Sequence, residues 1–294
     1  MEGASSRAVQ WCISRAFESF FMPPLIDLLF FALVLGVAGA FAGMLAGLFG
    51  IGGGAILVPV FFYTFHAIGV GDAVRMHLAL GTSLAIIVPT AIRSFLAHRK
   101  RGAVDMALLR GWIVAVPVGT LLASVIAAYV SGTVLMAVFS VMSLLMALRM
   151  FFNRDSWRLG TDLPGNPLRW LVGMAIGLLS GLMGIGGGVL NNIFMTVYGR
   201  SIHQAVATSA GLGALISVPG LIGYVWAGWG DAGLPAFSTG FVNWLAVALV
   251  IPVTLVTAPL GVRAAHALSR RHLEIGFGVF LLLNAIQFFI NALV

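Results

Sequence analysis

Two glycine-rich runs in apolar surroundings, Gly50–Gly54 and Gly184–Gly188, offer the clearest binding chemistry in this sequence. Each run precedes a short apolar arm, Ala55–Phe65 or Val189–Tyr198, which spans about half of a ~30 Å hydrocarbon core. Consecutive glycines cost about 1 kcal/mol each in helix propensity, so each run interrupts a helix. The first N–H groups of each arm lack intrahelical partners, and the helix dipole adds about half a positive charge there. Two such helix starts predict an anion site that needs no ionised side chain.

Polar side chains near the two arms could add hydrogen bonds to a bound anion. Asn191 and Asn192 lie on the first turn of the second arm, and polar residues are unusual at membrane depth. Two Thr-Ser pairs follow the glycine runs, in spans that contain a proline and are loosened by it. The candidate substrate-binding residues are therefore Gly52, Gly53, Gly54, Ala55, Thr82, Ser83, Gly186, Gly187, Gly188, Val189, Asn191, Asn192, Thr208 and Ser209.

These residues also have a purely structural interpretation. Small residues allow close packing of membrane helices, and Ser, Thr and Asn often hydrogen-bond neighbouring helices. For a single glycine run, close packing is the better explanation. Two runs at corresponding positions of two halves, each opening a short arm, instead favour a transporter binding site.

Enzymatic interpretations find little support in the sequence. The run Gly50–Ala55 fits a loose dinucleotide pattern with Asp72 downstream, but no strand precedes it, and no Lys follows as in a P-loop. Ser83 as a nucleophile would need a histidine at the same depth. The single Cys12 excludes a cysteine-based zinc site. All nine carboxylates map to loops or span ends, so no midplane cation site is expected. We expect no enzyme activity, no metal and no cofactor.

Composition places the chain in a lipid bilayer. Of its 294 residues, 60% are hydrophobic and 9% are charged, and the mean hydropathy is +1.06. A soluble domain carries roughly 25% charged residues. A net charge of +7 would suggest nucleic acid for a soluble protein, but here it is explained by basic cytoplasmic loops. The predicted class is an all-α polytopic membrane protein with no nucleic-acid partner.

The chain contains an internal repeat. Gly39–Gly50 aligns without gaps on Gly173–Gly184, 134 residues later. An alternative treats Leu25–Val37 as the core of a cleaved signal peptide, but the residues after the presumed cut belong to the repeat. The predicted organisation is an N-terminal interfacial segment at 1–24, a first transmembrane repeat at 25–152, a cytoplasmic connector at 153–167 and a second repeat at 168–294.

Each repeat is predicted to be a hairpin of a broken or half-length helix followed by three transmembrane helices. Three crossings after a hairpin bring the second repeat in from the opposite side, so the two repeats are inverted. The positive-inside rule agrees, because 13 of the 16 basic residues then lie at the cytoplasmic face. The predicted spans are Met76–Ala97, Val104–Tyr129 and Thr133–Phe152 in the first repeat, and His203–Trp226, Phe241–Arg263 and His272–Ala292 in the second.

The duplicated Gly-x-Gly-Gly-Gly, at Gly50–Gly54 and Gly184–Gly188, resembles the signature of the sulfite exporter family TauE/SafE. The Thr-Ser pairs beyond each run fit the same pattern, and the resemblance covers roughly residues 30–292. It implies a multi-pass permease of the bacterial inner membrane that exports sulfite, sulfonates such as sulfoacetate, or related organosulfur anions. The two half-sites are unequal, because Leu57-Val58 stands where the second half has Asn191-Asn192.

The sequence thus predicts a transporter that holds a small anion between two helix starts at mid-membrane and works by alternating access. A passive anion channel with the same site is the main alternative. A membrane enzyme or scaffold is the alternative outside transport. The expected partners are the small anionic substrate and the lipid bilayer, and a homodimer is a candidate assembly.

Overall fold

The computed structural model describes residues 25–49, 54–152, 159–160, 162–266 and 270–293. The segment 1–24, residues 153–158 of the connector, and candidate site residues Gly52 and Gly53 lie outside these ranges. The described elements are α1 (Leu25–Phe49), α2 (Gly54–Ala67), α3 (Asp72–Lys100), α4 (Met106–Trp112), α5 (Ala115–Tyr129), α6 (Gly132–Phe151), α7 (Leu168–Leu182), α8 (Gly188–Val197), α9 (Ile202–Ala227), β1 (Ser238–Thr239), β2 (Val242–Asn243), α10 (Trp244–His266) and α11 (Arg270–Leu293).

The helical membrane class is confirmed. Four described helices, α3, α6, α9 and α11, are long and apolar enough to cross a membrane, and the bent pair α4–α5 makes a fifth. The two arms are short, with 14 residues in α2 and 10 in α8, as their apolar runs predict. Each arm follows a longer apolar helix in the chain, α1 or α7.

The predicted span Val104–Tyr129 is not one continuous helix. It is divided into α4 and α5, which meet at 47°. Pro117 explains the break. Inside a continuous helix its ring would clash with the carbonyl group four residues earlier, whereas in the first turn of a new helix, α5, it is tolerated. The predicted span Phe241–Arg263 also starts later than expected. Phe241 precedes the two-residue strand β2, which pairs antiparallel with β1, and helix α10 begins at Trp244.

The two halves pack against each other reciprocally. A Cβ on Gly39 or Gly43 of α1 would touch Val250 or Thr254 of α10. The corresponding glycines of the second half, Gly173 and Gly177 of α7, meet Trp112 of α4 and Val116 of α5 in the same way. Glycines four residues apart let backbones approach closely, which is the usual device for association of membrane helices. The first helix of each half therefore packs on a helix of the other half.

Helices α3 and α9 form the antiparallel pair at the centre of the molecule. Ala91 lies against Gly213, and Leu84 lies against Gly220, so residue numbers fall along one helix as they rise along the other. Both helices are largely buried, including their Thr-Ser pairs. This pair is the scaffold on which the second glycine turn and the start of α2 rest.

Candidate functional site

The second glycine run forms a closed turn between α7 and α8. Gly184 has a φ of +62°, and it ends α7 by donating its N–H to Gly181, while Ile185 donates to Ser180 at 3.0 Å. This pair of bonds is the Schellman arrangement, which requires the left-handed conformation that glycine adopts readily. Gly187 has a φ of +70° and precedes α8, with no side chain capping the helix start. The first N–H groups of a helix have no intrahelical partner, and Gly187 has no side chain that could accept from them in α8.

The start of α2 lies directly against this turn. A Cβ on Gly54 would be 2.8 Å from Cα of Ile185 and 3.2 Å from the nitrogen of Gly186. Ile87 of α3 touches both Gly54 and Gly186. Gly54 and Ala55 are buried, whereas Gly186 and Gly188 retain partial exposure. The two helix starts thus meet in the interior of the protein, and the second one is only partly covered by the rest of the chain.

The asparagine pair and one serine form a hydrogen-bonded cluster on the first turn of α8. The Asn191 Nδ2 donates to Ser209 Oγ at 2.7 Å, and this hydroxyl donates to Asn192 Oδ1 at 2.9 Å. Ser209 Oγ also lies 3.4 Å from the carbonyl oxygen of Gly188. Asn191 is fully buried, and its Oδ1 has no hydrogen-bond partner among the described residues. The cluster joins α8 to α9 immediately beside Val189, which is buried as well.

The other Thr and Ser candidates are engaged in the fold. Ser83 Oγ donates to the carbonyl of Gly184 at 2.9 Å, so this hydrogen bond fixes the turn to α3. Thr82 Oγ1 accepts a bond from the N–H of Asn243, and Thr208 Oγ1 accepts one from another backbone N–H across the molecule. All three side chains are fully buried. The threonines therefore satisfy backbone donors.

The candidate residues do not form a single cluster. Ser83 precedes Ala91 by eight residues on α3, and Ser209 precedes Gly213 by four on α9. Because the helices are antiparallel, and Ala91 faces Gly213, these offsets add to about 18 Å along the helix axes. The structure brings together Gly54, Ala55, Gly186–Val189, Asn191, Asn192 and Ser209. Ser83 contacts the turn only through Gly184, and Thr82 and Thr208 bond to segments outside this group.

Two polar residues beside the turn were missed by sequence reasoning. The hydroxyls of Ser180 on α7 and Ser217 on α9 are fully buried and have no partner among the described residues. The internal repeat contains a signal for both. Ser180 corresponds to Ala46 in the alignment of the glycine runs, and Ser217 corresponds to Ala91 in the register that aligns Thr82-Ser83 with Thr208-Ser209. Within the described ranges, no group of three His, Cys, Asp or Glu side chains could hold a metal ion.

Apolar helices long enough to cross a bilayer, packed around two converging half-length arms, define a multi-pass transmembrane protein of the transporter type. The family model of the sulfite exporters, TauE/SafE, matches residues 35–288, and the chain therefore belongs to this family of transmembrane transporters.

Two relatives are similar over most of their length. A probable membrane transporter protein of Haemophilus influenzae is 32% identical over 262 residues, which cover 89% of this chain and 99% of the relative. A probable membrane transporter protein of Methanocaldococcus jannaschii is 27% identical over 241 residues, covering 81% of this chain and 88% of the relative. No solved structure matches the chain significantly.

Proposed function

We propose that this protein exports a small sulfur-containing anion, sulfite or a sulfonate, across the bacterial inner membrane by alternating access. The anion binds at the starts of α2 and α8, held by backbone N–H groups of Gly52–Ala55 and Gly186–Val189. The observation that carries the proposal is the contact of Gly54 with Ile185 and Gly186 in the protein interior. Two converging helix starts provide positive potential without a fixed charge, so an anion can bind and leave again.

The side chains around α8 suit this role. Asn191, Asn192 and Ser209 fix the first turn of α8 through mutual hydrogen bonds, which keeps its N–H groups aimed at the turn. Ser83 fixes the turn from the other side through Gly184. A site assembled in advance from backbone donors favours an oxyanion over a neutral solute, because the dipoles need no reorganisation when the charge arrives.

Alternating access follows from an inverted arrangement of the two repeats, 25–152 and 168–294. The reciprocal packing of α1 on α10 and of α7 on α4–α5 supports a pseudo-two-fold relation between the halves. With the axis in the membrane plane, a rocking motion of one half against the other exposes the starts of α2 and α8 to each side alternately. A homodimer remains part of the proposal, and mass measurement of the purified protein in detergent tests it.

Transport of [35S]sulfite tests the proposal directly. The protein, reconstituted into liposomes, is expected to exchange labelled sulfite for internal sulfite, and unlabelled sulfoacetate is expected to compete. The uncharged dimethyl sulfone, which keeps the sulfonyl oxygens but lacks the charge, serves as the matched control and is expected not to compete. Absence of exchange for every sulfur anion would overturn the proposal. If the protein instead carried macroscopic anion currents and internal substrate did not accelerate uptake, it would be a channel and not a transporter.

A further inference from the structure

Two buried serine hydroxyls lie beside the second glycine turn without a hydrogen-bond partner among the described residues. Ser180 on α7 is fully buried, and its Oγ lies 3.2 Å from the position that a Cβ would take on Gly187. It therefore faces the residue that opens α8. Ser217 on α9 is fully buried and unpartnered as well. Buried polar groups in native structures are almost always paired with protein, water or a ligand, so both hydroxyls call for a partner.

Ser217 reaches the same part of the molecule from the other side. It lies four residues after Gly213 and three before Gly220, so the three share one face of α9. A Cβ on Gly213 would lie 3.5 Å from the carbonyl oxygen of Gly186, and one on Gly220 would touch Leu84 of α3. Ser217 is therefore directed toward the region between α3, α9 and the glycine turn.

The internal repeat indicates that the fold does not require these hydroxyls. Where the second half has Ser180, the first half has Ala46, and where the second half has Ser217, the first has Ala91. Asn191 shows the same asymmetry, because Leu57 is its counterpart. Polar residues thus replace apolar ones at three positions around one helix start. Polar groups without partners in a membrane interior cost stability. Their presence in the second half is therefore better explained by ligand binding than by packing.

We propose that Ser180 and Ser217 donate hydrogen bonds to the oxygens of the anion held at the start of α8. This inference rests on the proposed function and assigns two residues to its binding site. A sulfite or sulfonate group presents three oxygens, and hydroxyls on two different helices bind two of them while backbone N–H groups bind the third. Donors spread over α7, α8 and α9 fit a polyatomic oxyanion, whereas a halide offers a single centre. The second half-site therefore selects oxyanions.

Counterflow kinetics of S180A and S217A test the inference. Each variant is expected to raise the KM for [35S]sulfite at least fivefold, with a much smaller change in maximal rate, and S217T, which keeps the hydroxyl, is expected to restore most of the affinity. S143A is the matched control. Ser143 is also fully buried and unpartnered, but it lies on α6, one turn from Ser140, whose hydroxyl donates to Ala285 of α11.

The outcomes separate the inference from the function on which it rests. If wild-type protein exchanges sulfite while S180A and S217A keep KM within twofold of it, the inference is wrong and the proposed function stands. An equal rise in KM for S143A would also overturn the inference, because it would make the effect a general consequence of removing buried hydroxyls. If S180A fails to fold, S217A alone tests the inference. A smaller stabilisation of S217A than of wild-type protein by sulfite supports it, and an equal stabilisation overturns it. Wild-type protein that moves no sulfur anion refutes the proposed function itself.

Discussion

The side-chain oxygen of Thr208 accepts a hydrogen bond from the backbone N–H of Asp105, with 2.9 Å between the two atoms. The other half of the molecule repeats this relationship, since Thr82 Oγ1 accepts from the N–H of Asn243 at 3.1 Å. Asp105 and Asn243 each accept, through their side chains, from the N–H three residues further along. A buried threonine in each half therefore fastens a capped helix start in the other half.

Replacing either threonine by valine is expected to loosen this fastening. The valine of Thr208→Val or Thr82→Val keeps the shape of the side chain but leaves a backbone N–H without an acceptor, at a cost of about 1–3 kcal/mol. Thermal unfolding in detergent measures the change, and the two variants should lower the midpoint similarly. Thr90→Val is the control, because the Thr90 hydroxyl bonds only to carbonyls of its own helix. Equal midpoints for all three variants would contradict the prediction.

The contact between Gly54 and the second glycine turn predicts a loss of transport in Gly54→Ala. The new methyl group would lie 2.8 Å from the Cα of Ile185, which is backbone and cannot move aside as a side chain can. We expect at least a tenfold fall in the rate of sulfite counterflow. Gly36→Ala is the matched control, since a Cβ there meets nothing within 4 Å. Normal transport by Gly54→Ala would show that the two helix starts need not approach each other.

A negative charge on the first turn of α8 should compete with the substrate. Asn191→Asp is nearly isosteric, and the helix dipole favours a carboxylate near a helix start. The change removes the hydrogen bond that Asn191 Nδ2 donates to Ser209 and buries a charge, so thermal unfolding without sulfite first establishes that the variant folds. The carboxylate would occupy the electropositive region that the proposal assigns to the anion, and sulfite affinity should fall at least tenfold. Asn284→Asp makes the same chemical change on α11, where the amide bonds only to Phe280 of its own helix. Sulfite thermal shifts that are unchanged in Asn191→Asp would place the anion elsewhere.

Close approach of α5 and α7 gives a prediction about stability alone. A Cβ on Gly119 would clash with the carbonyl oxygen of Met174, and one on Gly177 would clash with that of Val116. Alanine at either position must separate the two helices, and overpacking of this kind costs about 1–3 kcal/mol. Thermal unfolding is the measurement. Gly111→Ala serves as the control because nothing lies within 4 Å of its Cβ, and a loss as large in this variant would refute the packing argument.

Periodicity and breaks in the apolar pattern predicted most of the helices, because a bilayer requires every backbone group to be paired within its segment. The ends of α1 and α7 and the starts of α2 and α8 lie at the glycine runs, as the sequence predicts. The bend between α4 and α5 was foreseeable from Pro117 in principle, but a proline in a span also fits a simple kink. The strand pair before Trp244 was not foreseeable, since strands of two residues leave no pattern.

Duplication made the two glycine runs visible as a candidate site in the sequence, and their role as a site stays a prediction. The structure adds that Gly54 lies against Gly186. The threonines were harder to interpret. Thr82 and Thr208 carry hydroxyl groups that could bind a substrate, but in the structure they accept hydrogen bonds from backbone N–H groups of distant segments. Only the tertiary structure reveals these partners. Ser180 and Ser217 are single serines in apolar helices and gave no local signal. Comparison of each with its alanine counterpart in the first half would have identified them.

The inverted orientation of the repeats predicts which face of the membrane each loop occupies. In a Cys12→Ser background, single cysteines replace Arg101 after α3 and Trp229 after α9, both exposed positions that follow corresponding helices. Inversion places Arg101→Cys in the cytoplasm and Trp229→Cys outside, so an impermeant maleimide added to intact cells should label only the second. Gly71→Cys, just before α3, and His203→Cys, at the start of α9, test the other ends of the same two helices, and both positions are exposed. Inversion places Gly71→Cys outside and His203→Cys in the cytoplasm, so only Gly71→Cys should be labelled. Labelling of Arg101→Cys and Trp229→Cys from the same side would mean parallel repeats. The starts of α2 and α8 would then face the same side of the membrane, which rules out alternation about a shared site.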